Sequence, residues 1–238
     1  METNRANYII FHPDYARQQV SVEATEILDN VIQPKWGGNI FVDAIGNGNE
    51  DPFIFHDPWL YSYCHASQLK RRSEQAVFLR AGSILIFASG EDANRGSLTI
   101  DTFFLIDNAV RWNKLPFALP LKYQKYYQDE GSYLWQRHFQ FPFDHDNPVH
   151  TGVSHTYEAT MWEPNKKEFS FLPLQKDGER VSIPFKVFST ELVNKINPKV
   201  TGKYPVLLSS DEILDIRTAI KSLAKIKVLR NICTCDLI

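Results

Sequence analysis

From Phe78 to Asp107 the chain reads FLRAGSILIFASGEDANRGSLTIDTFFLID, with apolar runs on either side of a polar loop and a carboxylate set inside the second run. Runs of this length, rich in Ile, Leu and Phe and bounded by glycine, predict a β-hairpin with Gly82 at the turn into ILIFA and LTIDTFFLI as the return strand. Alternate residues of a strand share a face. Leu98, Ile100, Thr102, Phe104 and Ile106 would therefore lie on one side, and Thr99, Asp101, Phe103, Leu105 and Asp107 on the other. Both sides are largely apolar, which predicts a central strand covered on each face. Asp101 is then a carboxylate in a mostly buried strand.

Before the hairpin, YIIF at 8–11 predicts a short strand, and Pro13 with Asp14 a break and an N-cap. Val20, Ala24, Ile27, Leu28 and Val31 recur at helical spacing, so a helix is predicted from Tyr15 to about Ile32, ended by Pro34. A short strand follows from Asn39 to Ala44, inside a segment dense in Gly, Asn, Asp, Pro and aromatic residues that predicts structured loop. After the hairpin, residues 111–155 predict loop, a short helix and extended chain. FSFLPL and RVSIPFKVF predict a strand pair joined across Lys176, Asp177 and Gly178, the second kept near an edge by Pro184. Ser209, Ser210, Asp211 and Glu212 predict a capping box that opens a helix with Ile213, Ile216, Ile220, Leu223 and Ala224 as its buried stripe.

The 238 residues suit a single α+β domain. With 26 basic residues against 28 acidic ones, a net charge of -2 supplies no global field for phosphate. A local basic face can still form from the consecutive Lys70, Arg71 and Arg72. Three cysteines without a CxxC spacing signal neither a disulfide framework nor a zinc ribbon. Together with the lack of a secretion signal or a long apolar run, this predicts a cytoplasmic location. Aromatic residues make up 13% of the chain, enough to furnish stacking surfaces.

The candidate chemistry narrows quickly. His145, His150 and His155, beside Asp144 and Asp146, match no common metal-ligand spacing, so no metal is expected. Cys64 and His65 are adjacent and would point apart in a strand, which disfavours a thiol with its base. Gly46-Asn47-Gly48 lacks the third glycine of a dinucleotide fingerprint, and no phosphate loop is present, so no cofactor is expected. Two carboxylates stand out as the polar exceptions in apolar strands, Asp43 in FVDAIG and Asp101 in the hairpin. Each is either held structurally by hydrogen bonds or functional. Trp36 and Trp59 sit in turn-rich segments and are either anchors of the core or walls of a stacking pocket.

The hairpin pattern, with Arg80, Ala81 and Gly82 ahead of an apolar strand, resembles the core of the PUA-like superfamily, to which EVE, ASCH and YTH domains belong. Ser83 stands where that motif commonly carries Asp. The chain looks most like bacterial nucleotide-modification-associated domain proteins, in which YEATMWEPNKKEFSFLPL also has a counterpart. ILIFASGEDANRG also resembles the water-activating loop of uracil-DNA glycosylases, although Ala93 and Asn94 replace the expected Pro and Tyr and the later His-Pro-Ser motif is missing.

These resemblances imply a mixed, strongly twisted sheet or partly open barrel with flanking helices. The PUA-like core would span about 36–188, with the N-terminal and C-terminal helices packed on it. They also imply a pocket for an extruded base, and DNA carrying a modified base as partner. In a glycosylase-like enzyme acting in defence against phage, Asp43 or Asp101 would polarise water and offset oxocarbenium charge. Trp36 and Trp59 would stack on the base, Asn39, Tyr61 and His65 would complete its pocket, and Lys70, Arg71, Arg72 and Arg95 would hold the backbone. In the alternative, a non-catalytic reader of modified bases, Asp101 is purely structural. A plain interaction domain stands against both.

Overall fold

A computed structural model describes residues 5–12, 17–28, 31–43, 52, 54–55, 57–62, 79–89, 96–111, 155–197 and 205–234. These residues form an α+β arrangement, mostly sheet, with α-helices α1 (Thr190–Ile196) and α2 (Ser210–Leu223). A seven-stranded sheet runs β10 (Val206–Leu208), β1 (Asn7–His12), β5 (Ile84–Ser89), β6 (Ser97–Arg111), β7 (His155–Ala159) and β4 (Leu60–Ser62), with β9 (Val181–Pro184) also paired to β6. A four-stranded sheet runs β3 (Val31–Asp43), β2 (Arg17–Leu28), β11 (Ile226–Thr234) and β8 (Leu172–Leu174). The β1–β5 pair is parallel and the others are antiparallel. Neither sheet closes into a barrel.

The apolar residues sort into two layers. Val20, Val22, Ala24 and Ile40 from the four-stranded sheet share a core with Leu85, Phe87, Phe104, Tyr61 and Tyr157 from the seven-stranded one. On the other face of the larger sheet, Ile86, Ile100, Phe103 and Leu105 pack with Leu192 and Ile196 of α1 and Ile213, Ile216 and Ile220 of α2. Strand β5, buried at every position, lies between the layers, which accounts for an apolar run without alternation. Removing a large side chain from either layer would cost about 2–5 kcal/mol.

The hairpin anticipated from Phe78 to Asp107 is present as β5 and β6, but its faces do not alternate throughout. Phe87 pairs with Thr102 and Ala88 with Ile100, so Asp101 is the extra residue of a β-bulge. As a result Leu98 and Ile100 fall on the helix side together with Phe103 and Leu105, while Phe104 and Ile106 face the other sheet.

The helix expected from Tyr15 to Ile32 is instead the hairpin of β2 and β3. The helical stripe passed over Val22, whereas Val20, Val22 and Ala24 alternate with Ser21, Glu23 and Thr25, and β-branched residues favour the strand. Pro34 lies inside edge strand β3, where its missing N–H costs no ladder bond. There the register slips between the pairs Ala24–Trp36 and Glu26–Gln33. The strand expected at 39–44 is the far end of this longer β3.

The C-terminal helix follows the sequence closely. Ser209 Oγ accepts from Glu212 N while Glu212 Oε2 accepts from Ser209 N, closing the capping box of α2. No helix among the described residues is long and apolar enough to cross a membrane.

Candidate functional site

Among the described residues strand β3 has a partner strand on one side only, and a cleft of about 530 Å³ is lined by Trp36, Gly37, Gly38 and Asn39 of β3, Leu28 of β2, Ile226 of β11, and Lys176 and Asp177 of the turn after β8. Trp36 pairs with Ala24 across the hairpin, and its indole lies over Gly38, where a Cβ would collide with the ring. The missing Cβ of Gly38 therefore makes the room that the indole occupies. Asn39 Oδ1 accepts from Ser21 Oγ at 2.8 Å, so the donor end of its amide is what a ligand would meet.

The opposite wall is the turn after β8. Gln175 N donates to Glu179 O at 2.7 Å, Gly178 N to Gln175 O at 3.1 Å and Glu179 N to Asp177 Oδ1 at 3.2 Å. Gly178 has φ +83 and packs directly on the Asn39 carbonyl, so a Cβ there would overlap backbone. This contact brings the turn after edge strand β8 against β3 at the opposite edge of the same sheet.

Behind the floor stands a residue that sequence reasoning did not select. Val20, Val22, Ala24, Glu26 and Leu28 are alternate residues of β2 and so share its inner face. Glu26 is 0% exposed, and neither Oε1 nor Oε2 has a hydrogen-bond partner. It pairs with Val228 on one side and Gln33 on the other, between the rows Ala24–Trp36 and Leu28–Ile226 that border the cleft. Burial without a compensating charge pushes its carboxyl up to about 7. In a helix Glu26 would have lain off the apolar stripe. The period-two row in the sequence was the signal that could have found it.

The expected residues divide. Trp36 and Asn39 come together in the cleft. Asp101 does not line it; its Oδ1 lies 3.6 Å from Arg180 Nε and its Oδ2 accepts from Ser89 Oγ at 3.3 Å, in surroundings where both Asp101 and Arg180 are buried. Trp59 and Tyr61 are each 0% exposed. Tyr61 packs edge-on to Phe87 at 5.0 Å and stacks on Tyr157 at 6.1 Å, so its faces are occupied by the core. Trp59 Nε1 is buried without a hydrogen-bond partner. The side chain of Asp43, whose backbone ends β3, lies outside the described residues, as do His65, Lys70, Arg71, Arg72 and Arg95. So do His145 and His150; among the described residues no group of three or more His, Cys, Asp or Glu could hold a metal ion.

The cleft can thus offer a flat aromatic surface, an amide donor and one charge of each sign. No protein-family model, curated protein or solved structure matches the chain.

Proposed function

We propose that the chain is a PUA-like binding module that holds a nucleobase extruded from DNA in the cleft between Trp36 and the Lys176–Asp177 turn. The observation that carries this reading is the convergence there of Trp36 and Asn39, a stacking surface and an edge-reading amide, with a cationic Lys176 beside them. Stacking on one aromatic ring contributes ~1–3 kcal/mol per base and tolerates every base, so the edge contacts would set the choice. A binding role fits better than bond cleavage because Asp101 is committed to Arg180 and Ser89 away from the cleft.

The test uses DNA duplexes and single strands carrying unmodified, hydroxymethylated or glucosylated cytosine, followed by gel retention and then by alkali treatment. Retention without strand breaks, weakened roughly tenfold or more by Trp36→Ala, is the expected result. Breaks at abasic sites would replace the binding module with a glycosylase, and absence of retention on every substrate would remove both.

A further inference from the structure

Along an edge strand the main chain is itself a row of donors and acceptors, and the fold decides which of them stay open. Successive residues of an antiparallel strand turn N–H and C=O alternately toward the partner strand and away from it. In β3 the phase is fixed at Asn39. A Cβ on Gly178 would sit closest to Asn39 O, then to Asn39 C and Ile40 Cα, with no atom of β2 among these three nearest neighbours. The Asn39 carbonyl therefore points to the turn after β8 and away from β2. Pairing is regular from Ala24–Trp36 to Arg17–Asp43, so Gly37, two residues before Asn39, also turns its N–H and C=O away from β2. Gly37 is exposed and lines the cleft, and among the described residues no hydrogen bond outside the sheet ladder reaches it.

A whole strand could not add at this edge. Gly178 covers the Asn39 carbonyl on one side; on the other, Pro34 has no N–H to offer and the register slips between Trp36 and Gln33. What remains beside the cleft is one residue's donor and acceptor, next to each other. That suits the edge of a small planar ligand and not an extended peptide, which needs a run of such pairs.

Resting on the reading of the cleft as a base-binding site, we propose that the Gly37 main chain is its edge-reading group, and that the cleft takes an unpaired base with an unsubstituted Watson–Crick edge. The Gly37 N–H donates to the base and the Gly37 C=O accepts from it. In a pyrimidine, an adjacent donor and acceptor occur on that edge alone: N3–H beside O4 or O2 in thymine, N4–H beside N3 in cytosine. Within a duplex the edge is occupied by the partner base, which makes extrusion a condition of binding. Substituents at C5 project on the major-groove side and leave the pair intact, whereas a methyl at N3 of thymine removes its only donor and meets the Gly37 carbonyl. The stacking surface stays where it is, since Trp36 lines the same cleft one residue away.

The experiment is a calorimetric titration of the full chain with thymidine and with N3-methylthymidine, which differs only by a methyl in place of the N3 proton. The expected result is thymidine binding roughly tenfold or more tighter, the effect of one hydrogen bond lost and one carbonyl left unsatisfied. Gly37→Pro deletes the donor at an edge position that makes no ladder bond and puts a ring carbon in its place, so thymidine binding should weaken by roughly tenfold or more. Equal binding of the two nucleosides by the wild type, or thymidine binding unchanged in Gly37→Pro, overturns the assignment. Where Trp36→Ala abolishes that binding, the cleft remains a base site and only the role of Gly37 is removed. If Gly37→Pro does not fold, the wild-type ratio of the two nucleosides decides alone. Binding of neither nucleoside removes both the edge reader and the base site.

Discussion

Replacing Glu26 by Gln removes an ionisation and keeps the side chain's size, so it isolates the electrostatic cost of this one carboxyl. Held at about 7 in the native chain against an ordinary 4.5, the group contributes, at ~1.4 kcal/mol per tenfold in proton affinity, ~3 kcal/mol over the full titration. The sign follows from proton occupancy. Between about pH 4.5 and 7 the native chain keeps this proton while the unfolded chain has released it, so stability falls as pH rises through that window. Below the window both states are protonated and the contribution is fully present; above it the contribution is lost. The Gln variant carries no such dependence. Urea unfolding of both chains at pH 5 and pH 8 should therefore show the variant gaining roughly 2–3 kcal/mol on the wild type between the two pH values. Other titrating groups are common to both chains and cancel in this difference. A stability difference that stays constant to within a few tenths of a kcal/mol would mean that Glu26 ionises normally, through water or a donor close to its oxygens, and that its apolar surroundings exert no such force.

Asp101→Asn should destabilise by ~3 kcal/mol or more in the same unfolding assay, because it leaves the buried Arg180 guanidinium without its carboxylate; a cost under 1 kcal/mol would show the pair to be dispensable. Gly178→Ala combines a positive φ with overlap on the Asn39 carbonyl and should cost roughly 2–4 kcal/mol, read by thermal unfolding. Gly37→Ala, where a Cβ meets nothing within 4 Å, should stay within about 1 kcal/mol and serves as its control.

Where a single periodicity governed the chain, the sequence was legible. The capping box of α2, its Ile213–Ile216–Ile220 stripe and the β5–β6 hairpin follow from local chemistry and spacing, and each is present. The helix expected from Tyr15 to about Ile32 failed because Val20, Ala24 and Leu28 satisfy a helical template as well as a strand row, and only pairing with β11 on one side and β3 on the other decides between them. The bulge at Asp101 was hidden for a related reason. A residue extra to one strand is defined by the register of its partner, which no single run displays. Of the candidate site, Trp36 and Asn39 were reachable from their turn-rich context and do share the cleft. Glu26 was not, since its interest depends on the face of β2 that a helical reading turns outward.

Asp101 and the cleft were both drawn from the sequence as parts of one chemistry, and the fold joins them in a different way. Asp101 holds Arg180, and Arg180 bridges back to Leu174, closing the base of the turn whose tip carries Lys176 and Asp177. Gly178, two residues before Arg180, presses the same turn on Asn39. The carboxylate in the hairpin is thereby a positioning residue: it fixes the wall of the cleft from behind through a short, hydrogen-bonded turn. Because the bulge places Asp101 beside β9, whose Val181 pairs with Ile100, this role depends on the break in alternation. An unbroken strand would have placed the carboxylate on the face of Phe103 and Leu105, toward the helices and away from Arg180.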